Sequence, residues 1–367
     1  MRLILPAAVV LLASASGQAA DPRLVVDDLV GPFRAGKKNL GLVVGVVTPD
    51  GRWVFGYGTV KDGPDAVVPD GDTVFELGSV TKAYTGVLLA VLERDGVVKF
   101  DDPADKHLPA DLRLPQRGDR PITLLDLTTH HSGLPVQPPL IGLRALLAPP
   151  KDWDNPYSHY DRGKLAKDLS DLWPSHDAGE RYEYSNLAAG LLGHALAHAA
   201  KAKSYEDVLV RRVLAPLGLS DTRITPSPAQ RRRFPPAHDT DGDPVSHWDF
   251  ACLESAGGLR STAHDQLTFL AANLGLVPTP LGPALRAACT PRRDTDTPGQ
   301  KVGLGWHRQP LRAGGRPTLV WHNGETGGSF CYVGFVPEAR VGVVVLSNTE
   351  HSVDGLAVGI LRRLTGE

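Results

Sequence analysis

The chain has 367 residues, with 39 lysines and arginines against 41 aspartates and glutamates, for a net charge of −2. That balance gives no strong field for nucleic acid or an anionic membrane surface, so neither is expected as a partner. The length is ample for a large buried core. The three cysteines, Cys252, Cys289 and Cys331, leave at least one thiol unpaired, and their separations match no zinc-ligand pattern.

Met1-Arg2 is followed by an apolar run from Leu3 to Ala13 and then by small and polar residues through Ala20. This is the pattern of a secretory signal peptide over 1–20, cleaved after Ala19 or Ala20. The run is too short to span a bilayer, and no cysteine stands at the junction for a lipid anchor. The mature chain, 21–367, is therefore expected in the periplasm or outside the cell, without a membrane anchor. Leu40–Thr48, Pro49-Asp50-Gly51 and Arg52–Val60 read as a hairpin. A helix starts near Ser79 and runs to about Glu93, where Asp95-Gly96 ends it.

From about 99 to 254 the pattern is helical and punctuated by proline. A short helix starts at Thr123 and stops at His131-Ser132-Gly133-Leu134-Pro135. Longer ones cover Leu187–Ala202 and Tyr205–Leu214. His238-Asp239-Thr240-Asp241-Gly242-Asp243 has its glycine too early for a calcium loop and lacks the closing glutamate, so Asp241-Gly242 reads as a hairpin turn. Ala263–Leu274 is an amphipathic helix. Four strand patterns follow, Val302–Arg308, Thr318–His322, Ser329–Val336 and Val341–Asn348, and Val353–Leu364 closes as a helix. Strands at both ends pair in one sheet. The expected fold class is α/β in the broad sense (α+β), with a body of about 21–98 and 255–367 interrupted by a helical lobe of about 99–254.

Three short motifs can carry chemistry. In Leu77-Gly78-Ser79-Val80-Thr81-Lys82, the serine and lysine lie three apart at a helix start and so share a face. An amine beside a hydroxyl, in the positive field of a helix N-terminus, is one way to activate a serine. An N-capped helix with a surface lysine would give the same spacing. Tyr184-Ser185-Asn186 precedes the alanine-rich helix. Its phenol can exchange a proton only if its pKa falls from near 10, and its amide can both donate to and accept from an acyl-amide substrate. Trp321-His322-Asn323-Gly324-Glu325-Thr326-Gly327-Gly328 puts glycines beside a strand, where a substrate can approach the backbone.

In this order and spacing, Ser79/Lys82, Tyr184/Asn186 and His322/Gly324 resemble the serine β-lactamase and penicillin-binding superfamily, on its class C side. Ile122–His130, Gly257-Gly258-Leu259-Arg260-Ser261-Thr262 and Val345-Leu346-Ser347-Asn348 add to the likeness. The resemblance implies a β-lactamase/transpeptidase-like fold: an antiparallel sheet flanked by helices, with an inserted all-helical lobe. It implies Ser79 as the acylated nucleophile and Lys82 as its proton-shuttling partner. Tyr184 would be the base, Asn186 would hold the substrate amide, and the Ser79 and Glu325 amides would hold the oxyanion. Gln137 and Asn348 match positions near the substrate acyl side chain and carboxylate. Cys252 and Cys331 would be the pair if any disulfide forms. No metal or organic cofactor is implied.

One departure bears on substrate. Where many members have Lys-Thr-Gly, this chain has His322-Asn323-Gly324, and a neutral imidazole binds a carboxylate less well than an ammonium does. Glu325 would narrow the pocket or favour a cationic substrate. The expected activity is hydrolysis of D-alanyl peptides, as by a DD-carboxypeptidase or endopeptidase, or of related amides, with weak β-lactam turnover. A class C β-lactamase, a short-chain esterase and a non-turnover penicillin-binding sensor are the alternatives. The substrate partner is a small molecule or a peptidoglycan peptide.

Overall fold

The computed structural model describes residues 20–37, 40–61, 66–147, 155–312 and 314–366. The leader expected over 1–20 lies outside the described residues except for Ala20. No described helix is long and apolar enough to cross a membrane.

The centre is an eight-stranded antiparallel sheet in the order β2-β1-β12-β11-β10-β9-β8-β7. Its strands are β1 Leu42–Thr48, β2 Gly51–Tyr57, β7 Arg293–Asp294, β8 Lys301–Val302, β9 His307–Pro310, β10 Thr318–Thr326, β11 Ser329–Val336 and β12 Val341–Ser347. The first hairpin thus joins the last strands, with Val44 of β1 opposite Val345 of β12. Short pairs join β3 Phe75–Glu76 to β6 Arg260–Ser261, and β4 Ala237–His238 to β5 Pro244–Val245. The latter turns at Asp241-Gly242, as expected, with Gly242 at φ 87°.

The inner strands are apolar throughout because both faces are covered. On β12, Val344 and Leu346 face one core while Val343 and Val345 face the other. One face packs under α1 Pro22–Arg34 and α12 Asp354–Leu364, through Val26, Val30, Ala357, Ile360 and Leu361. The other meets α2 Thr81–Arg94 and α10 Ala263–Asn273. Between α2 and α10 the chain runs through α3 Leu124–Thr128, α4 Pro139–Leu147, α5 Arg162–Asp171, α6 Asn186–Ala199, α7 Tyr205–Leu209, α8 Pro228–Arg232 and α9 Glu254–Gly257. Between α10 and β7 lies α11 Gly282–Cys289.

Several expectations need correction. The helix α1 was not anticipated, although Asp21 caps it, accepting from the Arg23 amide, and Pro22 opens it. The continuous strand expected over 302–308 is broken. Gly305 sits at φ 72°, and a Cβ there would lie 2.1 Å from the Lys82 carbonyl oxygen, so this stretch lies against α2 instead. The helix expected over Tyr205–Leu214 changes to a π turn at Val210–Leu214. All three cysteines are free. Cys331 Sγ donates to the Leu77 carbonyl at 2.9 Å and Cys252 Sγ to that of Tyr160 at 2.9 Å, so the favoured Cys252–Cys331 pairing does not occur.

Leu346 is fully buried between β12 neighbours and the helical core, whereas Leu24 is 68% exposed. Leu346→Ala should lower stability by about 2–5 kcal/mol in urea unfolding, while Leu24→Ala should change it by about 0.5 kcal/mol or less.

Candidate active site

The chain approaches Ser79 along β3, passes through a 3₁₀ turn over Gly78–Val80, and enters α2. Gly78 is at φ 48°, and a Cβ on it would meet the Glu325 amide nitrogen at 2.7 Å. Gly324 is constrained in the same way: its Cβ would lie 1.9 Å from the Leu77 carbonyl oxygen. Only glycines let β10 pass this close to the serine turn. The glycine of His322-Asn323-Gly324 is therefore required by backbone contact.

A buried carboxylate fixes the same junction. Glu76 Oε1 accepts from the Trp248 amide at 2.7 Å and Oε2 from the Thr326 hydroxyl at 2.9 Å. It ties the strand before Ser79 to the end of β10 and to the loop carrying Trp248. Sequence reasoning missed Glu76, though a charge inside Val74-Phe75-Glu76-Leu77 is the kind of signal that could have found it.

Lys82 is buried, and its Nζ has three neighbours: Ser79 Oγ at 2.9 Å, Asn186 Oδ1 at 2.7 Å and the Ala256 carbonyl at 2.7 Å. Burial pushes the amine well below its ordinary range. Two of the three neighbours can only accept. A neutral amine satisfies both with its two N–H bonds and turns its lone pair to the Ser79 hydroxyl.

Asn186 is the first residue of α6. Ser185 caps that helix, its hydroxyl accepting from the Ala188 amide at 2.9 Å and donating to the Pro135 carbonyl at 2.7 Å. The Asn186 amide nitrogen donates to Tyr157 Oη at 3.2 Å, and Tyr157 donates to Gln137 Oε1 at 2.5 Å. A single hydrogen-bonded chain therefore runs Gln137, Tyr157, Asn186, Lys82, Ser79. Tyr157 is in no motif, and nothing in its sequence neighbourhood marks it.

The Tyr184 ring lies 4.9 Å from Lys82 Nζ and 4.4 Å from the buried His130 ring. Burial raises its pKa above 10, and a hydrogen bond with Ser79 only partly offsets this. This direction runs against the lowered phenol that a tyrosine base needs. His130 Nδ1 accepts from the Ser185 amide at 3.1 Å, which places its proton on Nε2.

His322 is buried on β10, and its Nδ1 donates to the Asn323 carbonyl at 2.6 Å. Nε2 is then a bare acceptor, buried and without a partner. Burial, then His307 and Lys82, hold this ring well below the ordinary histidine pKa. His307, also missed by sequence reasoning, stacks on Trp321 and is lowered to about 4 by burial. The Asn323 amide donates to Asp354 at 2.8 Å.

Ser79, Gln137, Tyr184, Asn186, His322, Asn323, Gly324 and Glu325 all line one cleft of about 360 Å³, with Lys82 buried beneath it. Tyr157, Trp248 and Phe250 form an aromatic wall, and Glu350 adds a second carboxylate. Asn348 does not belong here. Its Oδ1 accepts from the Gly41 amide at 2.9 Å, and its Nδ2 donates to the carbonyls of Val60 at 2.9 Å and Pro236 at 2.8 Å. Its amide is used in holding the end of β12. Asp126, close in sequence to His130 and His131, is held instead by Arg120 at 2.9 Å and Arg293 at 2.8 Å. Among the described residues no cluster of His, Cys, Asp and Glu is arranged to hold a metal ion.

Comparison with known proteins places this geometry. The pattern of the Beta-lactamase family matches residues 26–367. The chain is 30% identical to a beta-lactamase of Pseudomonas fluorescens, over 91% of this chain and 95% of that one. It is also 30% identical to the D-alanyl-D-alanine-carboxypeptidase/endopeptidase AmpH of Escherichia coli K12, over 88% and 83%. A solved class C beta-lactamase superposes with a TM-score of 0.80 at 23% identity, covering 96% of this chain and 99% of that one. The chain belongs to the beta-lactamase family of serine hydrolases.

Proposed function

We propose that this chain is an exported hydrolase working through an acyl-enzyme on Ser79. Its substrates would be D-alanyl peptides of the carboxypeptidase or endopeptidase kind, or amides of similar shape, with β-lactams turned over weakly. The observation that carries the reading is the contact of Lys82 Nζ with Ser79 Oγ at 2.9 Å, backed by two acceptor-only partners. The similarity to AmpH supports the peptide class. The apolar run Leu3–Ala13 supports export.

In this mechanism the Ser79 proton passes to the lone pair of Lys82 as Oγ attacks the substrate carbonyl. The Ser79 and Glu325 backbone amides, brought side by side by Gly78 and Gly324, hold the oxyanion. Tyr184, kept protonated by burial, gives its proton to the leaving nitrogen and recovers one from Lys82. The carbon–nitrogen bond then breaks, leaving the acyl group on Ser79. Water enters by the reverse path, its proton taken by the same amine, and the Ser79 oxygen leaves as its bond to the acyl carbon breaks, taking that proton back from Lys82. Asn186 orients Lys82 and presents its amide to the substrate.

Hydrolysis of D-alanine p-nitroanilide by the purified protein tests the reading. Ser79→Ala should abolish turnover, and Lys82→Met should lower kcat roughly 10²–10⁴-fold. Full activity in Ser79→Ala would overturn it. Tyr157→Phe removes the acceptor of the Asn186 amide and should cost about 1 kcal/mol, near fivefold in kcat.

The pH profile has a definite sign. Lys82 must be unprotonated to act, and its pKa is lowered, so the rise of kcat/KM with pH should come below the usual lysine range. Tyr184 must be protonated, and its pKa is raised, so the loss at high pH should come above the usual tyrosine value. A rate that declines as pH rises through neutrality would contradict the assignment of Lys82 as base.

A further inference from the structure

The groups lining the cleft have one sign. Its ionisable carboxylates are Glu325 and Glu350, and no lysine or arginine lines it. Neither carboxylate has a hydrogen-bond or ion-pair partner among the described residues. Burial, then Glu325 and Asp239, raise the pKa of Glu350, and burial raises that of Glu325. Two unpartnered like charges in a half-enclosed cleft are an unfavourable arrangement that a bound cation relieves.

The neutral groups point the same way. His322 lines the cleft without bringing a positive charge to it: its Nδ1 donates to the Asn323 carbonyl, and its buried Nε2 has no partner. Tyr157, Trp248 and Phe250 line the same cleft, and aromatic rings attract ammonium groups. Nearby lysines are already engaged. Lys82 is buried in its own network, and Lys37, which lies close enough to influence His351, sits over the Phe33 ring at 3.9 Å and donates to the Phe33 carbonyl.

We propose that this cleft selects substrates whose acyl part carries an ammonium group, held by Glu325, Glu350 and the aromatic wall, and disfavours those whose acyl part carries a carboxylate. The inference rests on Ser79 being the acylated nucleophile. The Glu350 position is fixed independently of its side chain, because its amide donates to the His238 carbonyl at 3.0 Å. The carboxylate is thus held at the cleft without an internal partner to occupy it.

The test uses three p-nitrophenyl esters of matched size: that of γ-butyrobetaine, that of its neutral tert-butyl isostere, and that of glutarate. The cationic ester should exceed the neutral one in kcat/KM by roughly tenfold, and the anionic ester should fall below both. Glu350→Gln should reduce the cationic-to-neutral ratio several-fold, and the Glu325→Gln/Glu350→Gln pair should bring it near one, chiefly through KM. A wild-type ratio near one, a preference for the glutarate ester, or a ratio unchanged in the double variant would each overturn the proposal. Ser79→Ala separates the two levels. If it abolishes hydrolysis of all three esters while the wild type shows no cationic preference, the nucleophile stands and the selectivity fails. If it retains hydrolysis, the reading of Ser79 fails first.

Discussion

The burial of one amine organises this molecule. Lys82 lies on α2 under the cleft, touching Ser79 from the turn before that helix, Asn186 from the start of α6, and the Ala256 carbonyl from α9. Those three contacts join the sheet-backed helix to both sides of the helical region. An amine so enclosed is expensive to charge, and its environment supplies two acceptors and one hydroxyl. The lowering of its pKa is therefore a consequence of packing. Any shift of α6 or α9 that loosened the enclosure would alter the chemistry as well as the contacts.

The second constraint is the distance of closest approach between β10 and the serine turn. Gly78, with its positive φ, and Gly324, with no room for a Cβ, bring the Glu325 amide against Gly78, the residue before Ser79. Glu76 then fastens this contact to the Trp248 loop. Backbone amides positioned in this way need little reorganisation when charge develops on a substrate oxygen. The eight-stranded sheet, filled on both faces by valine and leucine, is the rigid support that makes so close an approach repeatable.

Much of this was legible in the residues. The apolar runs of β1, β11 and β12, the turn at Asp241-Gly242 and the helix after Ser79 all follow from period and punctuation, and the three motifs named the residues that line the cleft. Other features were not legible, for physical reasons. Tyr157 acts through a hydroxyl that meets Asn186 only after folding. Glu350 becomes a cleft carboxylate because the segment after β12 is tied to His238, far away in the chain, which spacing does not reveal. Asn348 was misplaced because an amide that ties three backbone segments together has no sequence signature distinguishing it from one facing a ligand. The protonation of Tyr184 depends on enclosure, and a motif carries no information about that. The cysteines were resolved by geometry alone, since each thiol has its own acceptor.

The account stands on Ser79 being the atom that takes the acyl group, with Lys82 as the base that makes it able to. The most direct measurement is the intact mass of the protein after acid quenching at short times with p-nitrophenyl acetate, followed by peptide mapping. The account predicts one acetyl group on the wild-type chain, located at Ser79, accumulating and then lost as product forms, with Lys82→Met acquiring it far more slowly. An acetyl group on another residue, or an equal adduct on Ser79→Ala, would contradict it.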